Sequence, residues 1–366
     1  MPDELRPNVD FRKPEYRREV FLRFYSWSVR HRSFPGGVHY ALPGIADALQ
    51  LDLEQRYWLA WLNANTQNPV TSLLLFQAAP RLRDWEAAVG LWRTSYKMLD
   101  WDTDRRYHKA RFEDAVKGYA AAVDCTCALP QHRYFRSAGG DWTGWWTAAH
   151  ALPTMGRLST WSYLEYLRIL LGPTAVPDAD TLMLEDIPGS RSHRNGLALV
   201  LGHDDWIVDK QLGHAGVTDA VYNSGVLGQL GHEAHTLFTE AQQRVGAAAD
   251  RLSLESALCT YKGWHKPKRR YPGVYNDMLY NRLIAAENRW GKRFDVLWAA
   301  RHDALPARLR LEDNLSDPGL CPVKQDWYRT TGEVIGLDTD WPDVFANGFQ
   351  AKVEAGDFGQ RVRPWI

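Results

Sequence analysis

His150 to Asp186, HALPTMGRLSTWSYLEYLRILLGPTAVPDADTLMLED, is the stretch on which the fold turns. Its pattern predicts the end of a short helix, a tight turn over Pro153 to Gly156 and a long helix from about Ser159 to Leu171. An acidic exit loop follows with Asp178, Asp180, Glu185 and Asp186. Gly156 is the residue expected to take a positive φ in the turn, because it has no Cβ to clash. Backbone N–H groups opening the next helix then point outward, where the helix dipole suits an anion such as a phosphate. Ser159 and Thr160 add hydroxyl donors at that end.

Upstream, Leu53 to Leu62 reads as a strong amphipathic helix, broken by Asn63 to Pro69 and resumed over Val70 to Ala79, where Pro80 closes it. Tyr16 to Arg30 is helical, with Val20, Phe24 and Trp27 on one face, and residues 38 to 50 hold a turn and a short helix. Trp85 to Met98 and Asp104 to Val123 continue the helical period. Arg105, Arg106, Lys109 and Arg111 form a basic start to the second of these, read as a solvated face. Leu129 to Thr143 breaks the period and reads as a connecting or functional loop. Trp142, Trp145 and Trp146 lead from it into the turn.

Downstream, an apolar run at Leu197 to Leu201 is followed by His203, Asp204, Asp205 and Asp209. His214, His232 and His235 invite a metal reading, but Gly231-His232-Glu233-Ala234-His235 sets its histidines one residue too close for the zinc pattern His-Glu-x-x-His. A solvent-facing pair on a helix, or an N-terminal helix cap, is expected there in preference to a zinc site. Residues 232 to 262 form one or two helices, and 276 to 301 another. Between them lies the densest charge feature, Tyr261-Lys262-Gly263-Trp264-His265-Lys266-Pro267-Lys268-Arg269-Arg270-Tyr271-Pro272-Gly273-Val274-Tyr275. Cations interleaved with aromatics on a Gly- and Pro-bounded loop suit phosphates and stacked bases. The last sixty residues carry no legible motif.

The whole is mostly α with little strand. With 366 residues there is room for one large or two ordinary domains. Net charge is zero, so any grip on a polyanion must be local. Four cysteines make no disulfide scaffold in a chain this long, and Cys125, Cys127, Cys259 and Cys321 lack the compact spacing of an iron-sulfur cluster. A reducing cytoplasm fits. No window approaches the roughly 18 apolar residues of a membrane span, and the charged N-terminus has no apolar signal core.

Leu152-Pro153-Thr154-Met155-Gly156-Arg157-Leu158-Ser159-Thr160 resembles the hairpin of helix-hairpin-helix DNA glycosylases of the endonuclease III type, Leu-Pro-Gly-Val-Gly-Arg-Lys-Thr-Ala. That family has, further along, an Asp-Thr pair whose Asp is catalytic, and this chain has Asp180-Thr181. Tyr57 to Asn68 is similar to its helix ending in Leu-Ser-x-Gln-x-Thr, whose Gln enters the gap left by a flipped base. By this resemblance Asn65 would be the wedge, with Gln67 beside it, and Thr154, Gly156, Arg157, Ser159 and Thr160 would hold the DNA backbone. The departures are Thr154 for the first hairpin Gly and Leu158 for the lyase Lys, so strand cleavage through a Schiff base is not expected. A glycosylase-like core would span residues 40 to 215, after an arm and helix at 1 to 39 and before a helical extension and tail at 216 to 366.

The whole chain, especially Trp58 to Pro69 and Tyr261 to Tyr275, also looks like the phage amino acid:DNA transferases, the α-glutamyl/putrescinyl thymine pyrophosphorylase group. That resemblance implies double-stranded DNA carrying pyrophosphorylated 5-hydroxymethyluracil as substrate, a free amino acid as donor (glycine first, then serine) and release of pyrophosphate. A DNA base kinase is an implied upstream partner. The chemistry assigns Lys262, Lys266, Lys268, Arg269 and Arg270 to the pyrophosphate. It assigns Asp180, with Glu185 or Asp186 as alternates, to the base that frees the attacking amine. Arg157 would hold the donor carboxylate. Mg2+ is an optional bridge between pyrophosphate and acidic cluster, without a legible ligand set. Two readings compete: a monofunctional glycosylase of the same hairpin family, and a DNA-binding protein that has lost chemistry.

Overall fold

The computed structural model describes residues 14–31, 41–102, 105–185, 191–207, 225–264 and 278–304, and among them it is all helix and turn, with no strand. The helices are α1 (Pro14–His31), α2 (Ala41–Ala48), α3 (Leu53–Thr66), α4 (Pro69–Ala78), α5 (Trp85–Thr94), α6 (Arg106–Ala110), α7 (Phe112–Ala122), α8 (Pro130–Ser137), α9 (Trp142–His150) and α10 (Arg157–Leu171). They continue with α11 (Arg191–Val200), α12 (Leu227–Val245), α13 (Arg251–Trp264), α14 (Met278–Trp290) and α15 (Asp295–Ala304). The chain forms two compact units with interleaved segments: 38–180 with 282–304, and 1–37 with 181–281 and 305–366. This division differs from the contiguous core expected over residues 40 to 215. Among the described residues no helix is long and apolar enough to cross a membrane.

The 38–180 unit is built around α3. An Asp52 capping box starts this helix, with Asp52 Oδ1 accepting from Gln55 N–H at 3.0 Å. From Tyr57 to Thr66 every side chain is buried, so α3 is a central helix and not the amphipathic one its first half suggests. Trp58 and Trp61 stack at 5.3 Å, and Trp61 lies flat on Tyr119 of α7 at 4.7 Å. α3 also runs a turn beyond Leu62, because Asn63, Asn65 and Thr66 continue the helical ladder before Gln67 ends it at φ +46°. Asn68 then caps α4, its Oδ1 accepting from Val70 and Thr71. α10 packs along α3, and α15 packs on α2 at Gly44, where an added Cβ would lie only 3.0 Å from Ala300.

The expected loop over Leu129 to Thr143 is instead helix α8 followed by the start of α9. Composition hid it because its helix start is stabilised from elsewhere in the sequence. Leu129 takes φ +50°, Pro130 fills the first turn, and the Glu54 carboxylate accepts from the N–H groups of Gln131 (3.0 Å) and His132 (2.8 Å). A carboxylate at a helix N-terminus satisfies open donors and favours the dipole.

In the other unit, α1 packs against α11, α12 and α13. Tyr25 Oη hydrogen-bonds Ser253 Oγ at 2.9 Å, and Phe21 meets Tyr261 edge-on at 5.4 Å. Arg18 bridges to Glu240 at 2.9 Å and Arg17 to Asp204. His232 and His235 are exposed on α12, as expected, while His214, Asp209 and the last sixty residues lie outside the described residues.

Candidate functional site

The succession of α9, turn and α10 forms where the sequence places it, with α10 beginning two residues earlier than expected, at Arg157. The turn itself is Leu152-Pro153-Thr154-Met155, closed by Met155 N–H to Leu152 C=O at 3.1 Å. Pro153 at the second position and φ +66° at Thr154 in the third follow the pattern of a type II turn. So the positive φ falls on Thr154, not on Gly156, which is extended at φ −79°, ψ 177°. Thr154 therefore holds the conformation that a glycine would take without strain. Pro153 seats against α7 at Gly118, where an added Cβ would come within 2.6 Å of its ring.

Gly156 is the N-cap of α10 and, having no side chain, leaves the helix start uncapped. The ladder opens with Thr160 N–H to Gly156 C=O at 2.9 Å, so the N–H groups of residues 157 to 159 have no acceptor within the helix. Gly156 and Leu158 are exposed here, as is His150, whose ring is stacked by half-buried Trp146 at 5.7 Å. Trp142 and Trp145 are buried and belong to the core.

The hydroxyls expected to face DNA turn inward instead. Ser159 Oγ pairs with His108 Nε2 at 2.9 Å, and Thr160 Oγ1 with His150 Nδ1 at 3.2 Å; both residues are buried. Arg157 is also buried, its guanidinium over the Trp161 ring at 5.1 Å, which removes it as an exposed fork for a carboxylate. Asn65 is fully buried, its Nδ2 donating to Trp61 C=O at 3.0 Å, so it is an interior residue of α3 and not a surface wedge. The i to i+4 geometry of a helix turned inward on every side explains this. Gln67, at the end of α3, is only half-buried, and its carbonyl accepts from Arg282.

Asp180 is exposed, at the end of a segment that Arg168 holds through Pro173 C=O at 3.1 Å. Thr181 and Glu185 are exposed as well, and Thr181 Oγ1 accepts from Met183 N–H at 3.1 Å. Asp186, Lys266, Lys268, Arg269 and Arg270 lie outside the described residues. Lys262 is described: half-exposed on α13, it donates to Ser192 Oγ at 3.2 Å.

Two residues, Arg105 and His108, support α10 from beneath. Arg105, assigned to a solvated face, is 1% exposed. It donates to Ala64 C=O (2.8 Å), Leu158 C=O (3.3 Å) and Ser162 Oγ (3.0 Å), joining the end of α3 to the start of α10. Next to it, burial and the Arg105 charge push His108 down to about 4, so the ring is neutral at pH 7. Lys109 of the same basic group is half-buried over the Tyr96 ring at 4.6 Å.

An uncapped helix start after a tight turn, with an exposed carboxylate beyond it, can bind an anion and accept a proton. Comparison with known proteins defines the class. The family model described as amino acid:DNA transferase matches residues 38–271, and the chain belongs to that family. It is a transferase, and the family's reaction is amino acid transfer onto DNA. Among individual relatives, it is similar to a protein of Salmonella phage ViI named serinyltransferase, 25% identical over 348 residues that cover 87% of this chain and 81% of that one.

Proposed function

We propose that this transferase joins a free amino acid to the 5-methylene of pyrophosphorylated 5-hydroxymethyluracil in double-stranded DNA, with release of pyrophosphate. The observation that carries the proposal is the family match over residues 38–271, which takes in both the turn at 152–155 and the basic segment from Tyr261. The amine nitrogen attacks the exocyclic methylene carbon, and a C–N bond forms as the C–O bond to pyrophosphate breaks. The leaving group departs with the electron pair, and the ammonium formed loses a proton to a carboxylate. Asp180 is proposed for that proton, with Glu185 and Asp186 as alternates. Exposure of Asp180 and Glu185 supports the assignment, since a donor amine must reach them from solvent.

Lys262, Lys266, Lys268, Arg269 and Arg270 are proposed to offset the charge of the leaving pyrophosphate. The hairpin is proposed to hold the DNA backbone in the manner of the helix-hairpin-helix glycosylases, with the base flipped out for reaction. Its grip is assigned to the backbone N–H of the exposed Leu158 at the start of α10, in place of the buried Ser159 and Thr160. The name of the phage ViI relative moves serine ahead of glycine as the donor.

The test is nucleoside mass spectrometry of duplex DNA carrying the pyrophosphorylated base after incubation with protein and either serine or glycine. A nucleoside heavier by one amino acid residue, with free pyrophosphate, is expected. Abasic sites would replace the proposal with excision, and unchanged nucleosides beside an active substrate control would refute it. Asp180→Asn is expected to lower the transfer rate by about 100-fold, within the range of a lost general base.

A further inference from the structure

We infer that His193, Glu255 and Cys259 form a binding site for one borderline-soft divalent cation of the Zn2+ class. All three belong to the unit that contains α11 and α13, and their donor atoms lie within 4.8 Å of one another. His193 and Glu255 are buried and Cys259 is half-buried. Glu255 and Cys259 are four residues apart on α13 and so share one face of that helix. His193 comes from α11, one turn before Gly196. A Cβ on Gly196 would sit 2.1 Å from Leu258 O, so this glycine lets the two helix backbones approach closely and brings His193 over the α13 face.

The histidine geometry points to a cation. Its Nε2 lies 2.9 Å from Leu182 C=O, an acceptor only, so that nitrogen carries the ring proton. In the neutral ring Nδ1 then presents a lone pair to the cluster, and Glu255 Oε1 stands 3.0 Å from it. An imidazole nitrogen and a carboxylate oxygen at that distance, with a sulfur within 4.8 Å of both, gather the donor set that a borderline-soft cation takes. A backbone carbonyl holding the far ring nitrogen is also how metal-ligating histidines are oriented. Imidazole, carboxylate and thiolate together favour zinc over magnesium or calcium, which prefer oxygen shells. Three protein ligands leave a fourth position for water or a small ligand. Lys262, three residues beyond Cys259, opens the basic segment, so the site adjoins the first cation of that segment in sequence.

The inference stands apart from the proposed reaction, because metal content is read without substrate. Full-length protein, purified without chelator and dialysed against metal-free buffer, is expected to retain about one zinc per chain by mass spectrometry of the elements, matching a mononuclear site. Metal-free wild type refilled with Co2+ is expected to show tetrahedral d–d bands with a thiolate-to-cobalt charge-transfer band; this readout requires no variant to fold. Cys259→Ser is expected to abolish that band and weaken zinc binding about tenfold or more. Folded wild type that holds neither zinc nor cobalt would overturn the inference, leaving the cluster as a buried imidazolium and carboxylate pair. Metal held with unchanged affinity by Cys259→Ser would overturn it too, by placing the metal elsewhere.

Discussion

Replacing Thr154 with glycine stabilises this protein, by an amount the turn geometry sets. Thr154 holds φ +66°, where an L-residue with a Cβ is strained by about 1–2 kcal/mol. Its Oγ1 is buried and makes no hydrogen bond, which costs about 1 kcal/mol more. Against this, glycine is freer in the unfolded chain by about 0.4–1 kcal/mol, and the lost methyl forfeits about 0.8 kcal/mol of burial. The balance is a gain of about 1 kcal/mol in Thr154→Gly. Urea denaturation followed by tryptophan fluorescence reads it well, since Trp142, Trp145 and Trp161 are buried in the helices flanking the turn. Thr154→Val separates the two terms: it removes the orphaned hydroxyl but keeps the strained, β-branched backbone, so it should recover only the smaller part. A Thr154→Gly protein no more stable than wild type would refute the assignment of strain to this residue. The backbone donors of the turn are unchanged in Thr154→Gly, so under the proposed function its DNA affinity should match wild type.

Two further predictions concern the groups beneath α10. Arg105→Met removes three charge-assisted hydrogen bonds, two of them buried, and should destabilise the protein by about 3–5 kcal/mol; a loss below about 1 kcal/mol by urea denaturation would show that the network contributes little. His108 titrates at about 4 in the folded protein, below the 6.5 of an ordinary histidine, so the unfolded chain binds the extra proton between those values. Its contribution is complete above pH 6.5 and falls away as pH drops toward 4, by about 3 kcal/mol at most. In His108→Gln the acid limb of a stability-against-pH profile should flatten over that window, and an unchanged limb would contradict the buried neutral ring.

The α class and most helices were legible because their apolar residues recur at helical spacing. The turn before α10 was legible from Leu152-Pro153, yet its strained residue was misassigned, since glycine is the default for a positive φ and a threonine there is recognisable only from structure. The inward set of Asn65, Ser159 and Thr160 was not legible. A resemblance transfers residue types along a helix, whereas the face each presents depends on how many neighbours surround that helix, and α3 is surrounded on all sides. Arg105 misled for a related reason: a run of cations ordinarily marks a solvated face, but the carbonyls of Ala64 and Leu158 and the hydroxyl of Ser162 are acceptors that no local window contains. His193, Glu255 and Cys259 escaped because two helices far apart in the chain bring them together, so no metal-ligand spacing appears in the sequence.

The interleaving of the two units bears on how the protein is made. The chain leaves the unit of α1 at residue 37, returns to it at 181, leaves again at 282 and returns at 305. During synthesis α1 therefore emerges long before its packing partners α11, α12 and α13 exist, and its buried Val20, Phe21, Phe24 and Tyr25 must wait uncovered. Nor is the other unit complete until α15 has cleared the ribosome and closed over α2 at Gly44. Neither unit can be cut out as one continuous fragment, so a nascent chain stalled before α11 exposes apolar surface in both, and chaperone demand should peak there.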